Sequence, residues 1–416
     1  MKPNTHLTAV AGLLVTLFSS IGIAGELPAG TVISKENIDK VKADTFEGHS
    51  VAALLTDKIE MQIRNWGLKM KLTNSRPLAL DPSVDVATKK YSDRVKFDTA
   101  TREVTGYVAG LPFPDISDKD PNAGDKVMWN FYYAAPQGNQ INYRVAWVLI
   151  DGNKGVDQVQ DYAFVRLWKK NRLDGGEPVL GDGSVLTETL YAAVAPEDIK
   201  GTGTFTVRYD QSRFEDQWAY IKSARRIRRL SGSAWMDPVG GLGMLNDEIY
   251  VWNARPSLYK QTKLIGKRWI LVSTNTNPKV DASKKGTPAE WTSINTGVAP
   301  YWNPLLEYQP REVYVIEGTP PAEHPYSKKI VYVDTKVPVV YMGEMYDKKG
   351  EIWRHVQFDF RQQKGEDGVT YYPPVQGTHI DFKEKRASVF VARSLKIGEK
   401  NFDMKGFGPE MLERIR

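Results

Sequence analysis

Ile352-Trp353-Arg354-His355-Val356-Gln357-Phe358-Asp359-Phe360 is the stretch that decides the fold class. Ile352, Val356, Phe358 and Phe360 share one face with Arg354, while Trp353, His355, Gln357 and Asp359 take the other. A period of two is the signature of an extended strand. One face is expected to be core and the other wetter. The same pattern recurs outward from here, from about Val95 to Val391. Short aromatic and β-branched runs lie between clusters of Gly, Pro, Asn and Asp: Asn142–Ile150, Tyr162–Trp168, Thr204–Tyr209, Trp218–Ile221, Glu248–Trp252, Arg268–Val272, Glu312–Ile316, Lys329–Val333 and Ala387–Val391. So many successive strands with no helical pattern between them predict one wide, curved antiparallel sheet or open barrel. A Rossmann-type alternation is excluded.

Helix is expected near the N-terminus. Val51, Leu54, Leu55, Ile59 and Ile63 recur at spacings of three and four, which predicts a helix from Ser50 to Trp66, capped by Ser50 and stopped by Gly67. A second, more polar helix is read over Pro82 to Tyr91. Pro112 to Lys126 and Asn275 to Tyr301 read as long loops.

The first residues carry Lys2, an apolar run from Leu7 to Phe18 and the small-residue ending Gly22-Ile23-Ala24, the three-part layout of an export signal cleaved after Ala24. The expected organisation is a signal over 1–24 and one domain with loop insertions over 25–416. The chain has no cysteine, which excludes disulfides, thiolate chemistry and a lipidated cysteine anchor. A formal net charge of +6 spread over 416 residues is no basic tail. Together with export it argues against a nucleic-acid partner.

Chemistry is sparse. His6, His49, His324, His355 and His379 are too scattered for a metal site, and no cofactor is called for. His355 and His379 could face each other across the sheet with Asp359 and Asp381 nearby, either as an acid–base pair or as two polar residues on a solvated face. Leu230-Ser231-Gly232-Ser233 lacks the glycine spacing of a nucleophile elbow, and Gly240-Gly241-Leu242-Gly243 lacks the ending of a phosphate loop. No catalytic constellation emerges.

Two features are unusual. Arg225-Arg226-Ile227-Arg228-Arg229-Leu230 puts four guanidinium groups on one short strand. They are either ion-paired, with Asp237, Asp247 and Glu248 the nearest acids in sequence, or a docking surface for an acidic partner or anionic headgroups. The chain also has eleven tryptophans. Trp147, Trp168, Trp218, Trp235, Trp252 and Trp353 are candidates either to fill the sheet's inner face or to line an apolar ligand cavity there.

These features resemble a known family. Trp218-Ala219-Tyr220-Ile221, the arginine strand, Asp237, Gly240-Gly241-Leu242, Asp247-Glu248-Ile249-Tyr250-Val251-Trp252-Asn253 and Lys263-Leu264-Ile265-Gly266-Lys267-Arg268 resemble the periplasmic domain-of-unknown-function family 1329, whose members are often called outer-membrane lipoprotein-sorting proteins. The resemblance spans nearly the whole chain past the signal. It implies a fold similar to the lipoprotein carriers of the Lol system, an unclosed antiparallel barrel with helices covering its opening. It also implies traffic of a hydrophobic small molecule or lipid across the periplasm, with an inner-membrane efflux transporter or an outer-membrane protein as further partner. The chain is longer than a Lol carrier, and no family catalytic or ligand residue carries over to it. The expected function is therefore a non-enzymatic periplasmic carrier. A lipid or glycan hydrolase and a docking scaffold remain as alternatives, and the oligomeric state is open.

Overall fold

The computed structural model describes residues 25–134, 137–221, 225–230, 234–274 and 280–414. The segment read as an export signal, residues 231–233 and the first part of the expected Asn275–Tyr301 loop lie outside the described residues. Fifteen strands form the main sheet. In chain order they are β1 (Val32–Ile33), β2 (Met70–Leu72), β3 (Gln140–Asp151), β4 (Gly155–Trp168), β5 (Val185–Ala195), β6 (Gly203–Tyr209), β7 (Asp216–Ile221), β8 (Arg226–Leu230), β9 (Gln261–Ser273), β10 (Glu307–Thr319), β11 (Lys328–Asp334), β12 (Val340–Tyr346), β13 (Ile352–Phe360), β14 (Pro374–Asp381) and β15 (Arg386–Ile397).

In space the order is β1-β2-β10-β11-β12-β13-β14-β15-β3-β4-β5-β6-β7-β8, with β9 also paired to β10. Every pairing is antiparallel except that of β10 with β2. The fold is mostly β, one large mixed sheet that curves without closing. A parallel bridge between Thr274 and Phe360 brings the end of β9 back against β13.

The expected "wetter" face of β13 is not wet. His355, Gln357 and Asp359 are all buried; the returning end of β9 covers Asp359, whose Oδ1 accepts from Ser273 Oγ (2.8 Å), and Tyr308 covers Gln357, whose Nε2 donates to Tyr308 Oη (3.3 Å). The helix expected from Ser50 is broken. Val51–Leu54 makes one turn, Leu55 is extended, and Thr56 restarts the chain as α1 (Asp57–Trp66) by accepting a hydrogen bond from the Ile59 amide (3.2 Å). A threonine followed by an acid is a strong N-cap, which outweighs continuous apolar spacing. Pro82–Tyr91 forms α2, capped by Asp81.

The loop read over Pro112 to Lys126 ends early, since Ala123–Ala134 is a third helix, α3, buried on almost every side. Glu248–Trp252 is not a strand but part of a 3-10 turn and the irregular chain after it. A short helix, α4 (Met411–Arg414), sends Leu412 with Phe407 against Val165, Leu167, Leu190, Phe205 and Tyr220 on the outer face of β4–β7. The outer face of β3 and β15 is closed by Trp291, Ile294 and Trp302, packed on Ala146, Val148, Val389 and Val391.

A cavity under a strap

Residues 235–253 connect β8, one end of the sheet, to the chain leading into β9 at the other end. They cross the inner face as a strap. Gly241 lies over Gln160 of β4. The Leu242 carbonyl accepts from Ser388 Oγ of β15. Glu248 meets Arg354 of β13 (2.8 Å), and Asp247 meets Lys329 of β11 (2.7 Å). Val251 presses on Gly343 of β12, where a Cβ would lie 2.4 Å from Val251 Cγ1. Trp252 reaches Gly318 of β10.

Over β11–β14 the strap is nailed down by buried charge. Asp247, Glu248, Lys329 and His324 are fully buried. Lys329 Nζ donates to Asp247 Oδ2 and to the Val251 carbonyl (3.0 Å), and Tyr259 Oη also donates to Asp247 Oδ2. Burial would raise the Glu248 carboxyl, but the His379 ring beside it, the Arg354 charge and the Tyr326 hydroxyl hold it down at about 2. Such a network costs desolvation and holds only while every member is paired. Asp247 and Glu248, two of the three acids expected beside the arginine strand, are therefore spent here.

Over β3–β7 the strap stands away from the sheet, leaving a cavity of about 610 Å³. None of its lining residues belongs to an α-helix. The cover is thus the irregular strap, where helices were expected.

Strand register sorts the sheet side of the cavity into rows. One row runs Arg166, Thr189, Thr206, Gln217 across β4–β7. The next is aromatic at one end, Tyr143, Phe164 and Tyr191, then Thr204 and Ala219. A third holds Val145, Tyr162 and Ala193, and a fourth Trp147 and Gln160 beside Phe390. Tyr162 and Tyr191 stack with centroids 4.4 Å apart. Trp147 packs on His379 and Phe390 (5.5 and 5.7 Å). The wall is apolar and aromatic at one end and polar at the other, as ligand sites commonly are.

The six tryptophans separate. Trp147 borders the cavity from the sheet and Trp235 from the strap. The other four lie outside the wall. Trp168 packs one residue pair beyond the polar row, with the Arg166 guanidinium 5.5 Å from its ring. Trp218 is on the outer face with Phe205 (6.4 Å). Trp252 is core, stacked on Tyr259 (3.8 Å). Trp353 stands at the start of β13, its Nε1 donating to Asp381 Oδ2 (2.9 Å) and its ring edge-on to Tyr326.

The arginine strand is the edge strand β8, and Arg225, Arg226, Arg228 and Arg229 are all exposed. Arg229 pairs with Asp216, not with Asp237, Asp247 or Glu248. Among the described residues Arg225, Arg226 and Arg228 form no ion pair. Alternation puts Arg226 and Arg228 on the same face as Leu230, which borders the cavity.

His355 and His379 do not face each other. Val356 pairs with His379 and His355 with Ile380, so the two rings point to opposite faces. Burial lowers His379, against the pull of Glu248, and lowers His355 to about 3. Only His379 borders the cavity, and the Glu248 carboxylate 3.9 Å behind it is already engaged by Arg354 and Tyr326. Among the described residues no group of three His, Asp or Glu is placed to hold a metal.

The profile of the family DUF1329, proteins of unknown function, matches residues 32–412, the strap and both ends of the sheet included. The chain belongs to the DUF1329 family. Solved structures similar to this DUF1329 protein include a domain from Vibrio parahaemolyticus named for outer membrane lipoprotein sorting, at 14% identity and TM-score 0.46, covering 70% of this chain and 97% of that one. A DUF1329 family protein from Desulfovibrio piger gives 18% and 0.42, covering 64% and 88%. A LolA superfamily protein from Nitrosomonas europaea gives 14% and 0.41, covering 69% and 98%. A comparison with curated proteins gave no match. Among the described residues no helix of the DUF1329 protein is long and apolar enough to cross a membrane.

Proposed function

We propose that the protein is a non-enzymatic carrier of the cell envelope that shelters a hydrophobic molecule between the strap and β3–β7. The cavity of about 610 Å³ under the strap carries this reading. A core built only for stability closes such a volume, because unfilled apolar space costs packing energy. Its aromatic rows fit an apolar ligand, and no bond is made or broken in holding it. Export through the segment 1–24 places the carrier in the periplasm, where a lipid has to be shielded from water in transit.

The exposed basic edge β8 supports docking to an acidic surface on an envelope partner, such as a transporter or an outer-membrane protein. Four exposed arginines along the edge whose Leu230 borders the cavity suit delivery better than a structural role, since among the described residues only Arg229 is ion-paired there.

The test is native mass spectrometry of the protein purified from a bacterial envelope, followed by organic extraction of what it releases. A lipid at one per chain is the expected result. A bare mass, with no uptake of long-chain amphiphiles added afterwards, would overturn the carrier reading and leave docking through β8.

A further inference from the structure

The polar end of the cavity holds a cation that no carboxylate contacts. Arg166 Nε donates to Thr189 Oγ1 (2.9 Å), while its Nη1 and Nη2 donate to no described acceptor. The acid whose field reaches it, Glu215, is held by Arg208 at 2.5 Å. Arg208 in turn donates to the Asn253 carbonyl and Oδ1 (both 3.0 Å). Arg166, Arg208 and Glu215 sum to one positive charge on the sheet side, and the other acid of the lining, Asp237, belongs to the strap.

Phe164, Trp168 and Tyr250 surround the Arg166 guanidinium, their ring centroids 5.1, 5.5 and 5.5 Å away. These rings offset part of the cost of burying it. They offer its two outer nitrogens no hydrogen-bond acceptor. Arg166 is half-buried, and a planar guanidinium fork held among rings with free donors at a water-accessible cavity suits an oxyanion bound through two oxygens.

We infer that the cavity's ligand is an amphiphile with an anionic head, a carboxylate or phosphate on an acyl chain. The head pairs with Arg166 beside Thr189, Thr206 and Gln217, and the chain lies along the aromatic rows toward Trp147. This rests on the carrier reading and names the substrate class of the same cavity. Gln217 Nε2 already donates to Thr206 Oγ1 (3.2 Å), which orients the polar row without charge. Arg226 and Arg228, on the same face at the sheet's edge, give an incoming anion a favourable approach.

Calorimetric titration of the protein with laurate, dodecyl phosphate and dodecanol, each below its micelle concentration, tests the inference. The parent protein should bind at least one of the two anions about tenfold or more tighter than dodecanol, the scale of one charge-assisted contact. Whichever anion is preferred identifies the head. Arg166→Gln should erase that preference, bringing the anions to the level of dodecanol, while Arg166→Lys keeps part of it. Equal affinities for all three in the parent would overturn the anionic head and leave the carrier reading standing. An anion preference that survives Arg166→Gln would overturn Arg166 as its anchor. Binding of none of the three would overturn both readings.

Discussion

Asp359 and His355 sit four residues apart on one buried face of β13 and respond to pH in opposite directions. Burial, opposed by the Ser273 hydroxyl and the Arg361 charge, lifts the Asp359 carboxyl to about 8. From about pH 4 to about pH 8 the folded chain therefore holds a proton that the unfolded chain has lost, and stability falls as pH rises, by about 1.4 kcal/mol per pH unit. His355, lowered by burial to about 3, stays neutral when folded while the unfolded chain takes up a proton below about pH 6.5, so it weakens the fold in acid. Asp359→Asn should gain on its parent steadily from pH 5 to pH 8 in denaturant melts. Curves that stay parallel over that range would mean the carboxyl is already ionised in the folded protein. The strap's anchor gives a second outcome at this scale. Lys329→Met should cost about 3–5 kcal/mol, because Asp247 is left charged and dry, and adding Asp247→Asn should recover part of that loss. Urea unfolding of the two variants side by side measures both. None of these burials was legible in the sequence. Alternation revealed the two faces of β13, but not that the end of β9 returns to cover the second.

Strands were the legible elements, because each carries its period locally, and Ile352–Phe360 has the observed bounds. Helix α3 was not legible. Val127 to Phe131, Tyr133 and Ala134 are all buried, so no polar stripe marks a helical period, and the run of aromatics reads as strand. Its fit against the sheet is close. A Cβ on Gly124 would lie 2.4 Å from the Thr262 carbonyl oxygen and 2.7 Å from the Leu264 nitrogen of β9. In an open helix Gly→Ala stabilises by about 1 kcal/mol. Here the obstacle is backbone, and Gly124→Ala should instead cost about 1–3 kcal/mol. A lowered melting temperature in a thermal scan checks the sign. The cavity's polarity belongs to this scale as well. Arg166, Thr189, Thr206 and Gln217 are far apart in the chain and become one row only through the register of four strands, which single-strand patterns do not contain.

Across the whole molecule, stability should follow position in the sheet. Strands β14, β15 and β3 have neighbours on both sides and cover on the outer face, whereas β8 presents an open edge. Amide hydrogen exchange should be slowest in the first group and fastest from β6 to β8. A bound amphiphile should slow exchange in β4–β7 and residues 235–253 while leaving β11–β13 unchanged. Equal slowing everywhere would place the ligand elsewhere. The arginine strand was readable from composition, yet the strap was not, since its Glu248–Trp252 stretch resembles another strand until Lys329 and Arg354 are seen to hold it across the sheet. That single stretch has a bearing on how such proteins diversify. The whole strap, residues 235–253, closes the cavity as a string closes a bow, and it is contiguous in the gene. Insertions, deletions and substitutions confined to the strap's roughly twenty codons can therefore reshape the cavity, while the fifteen strands behind it stay as they are.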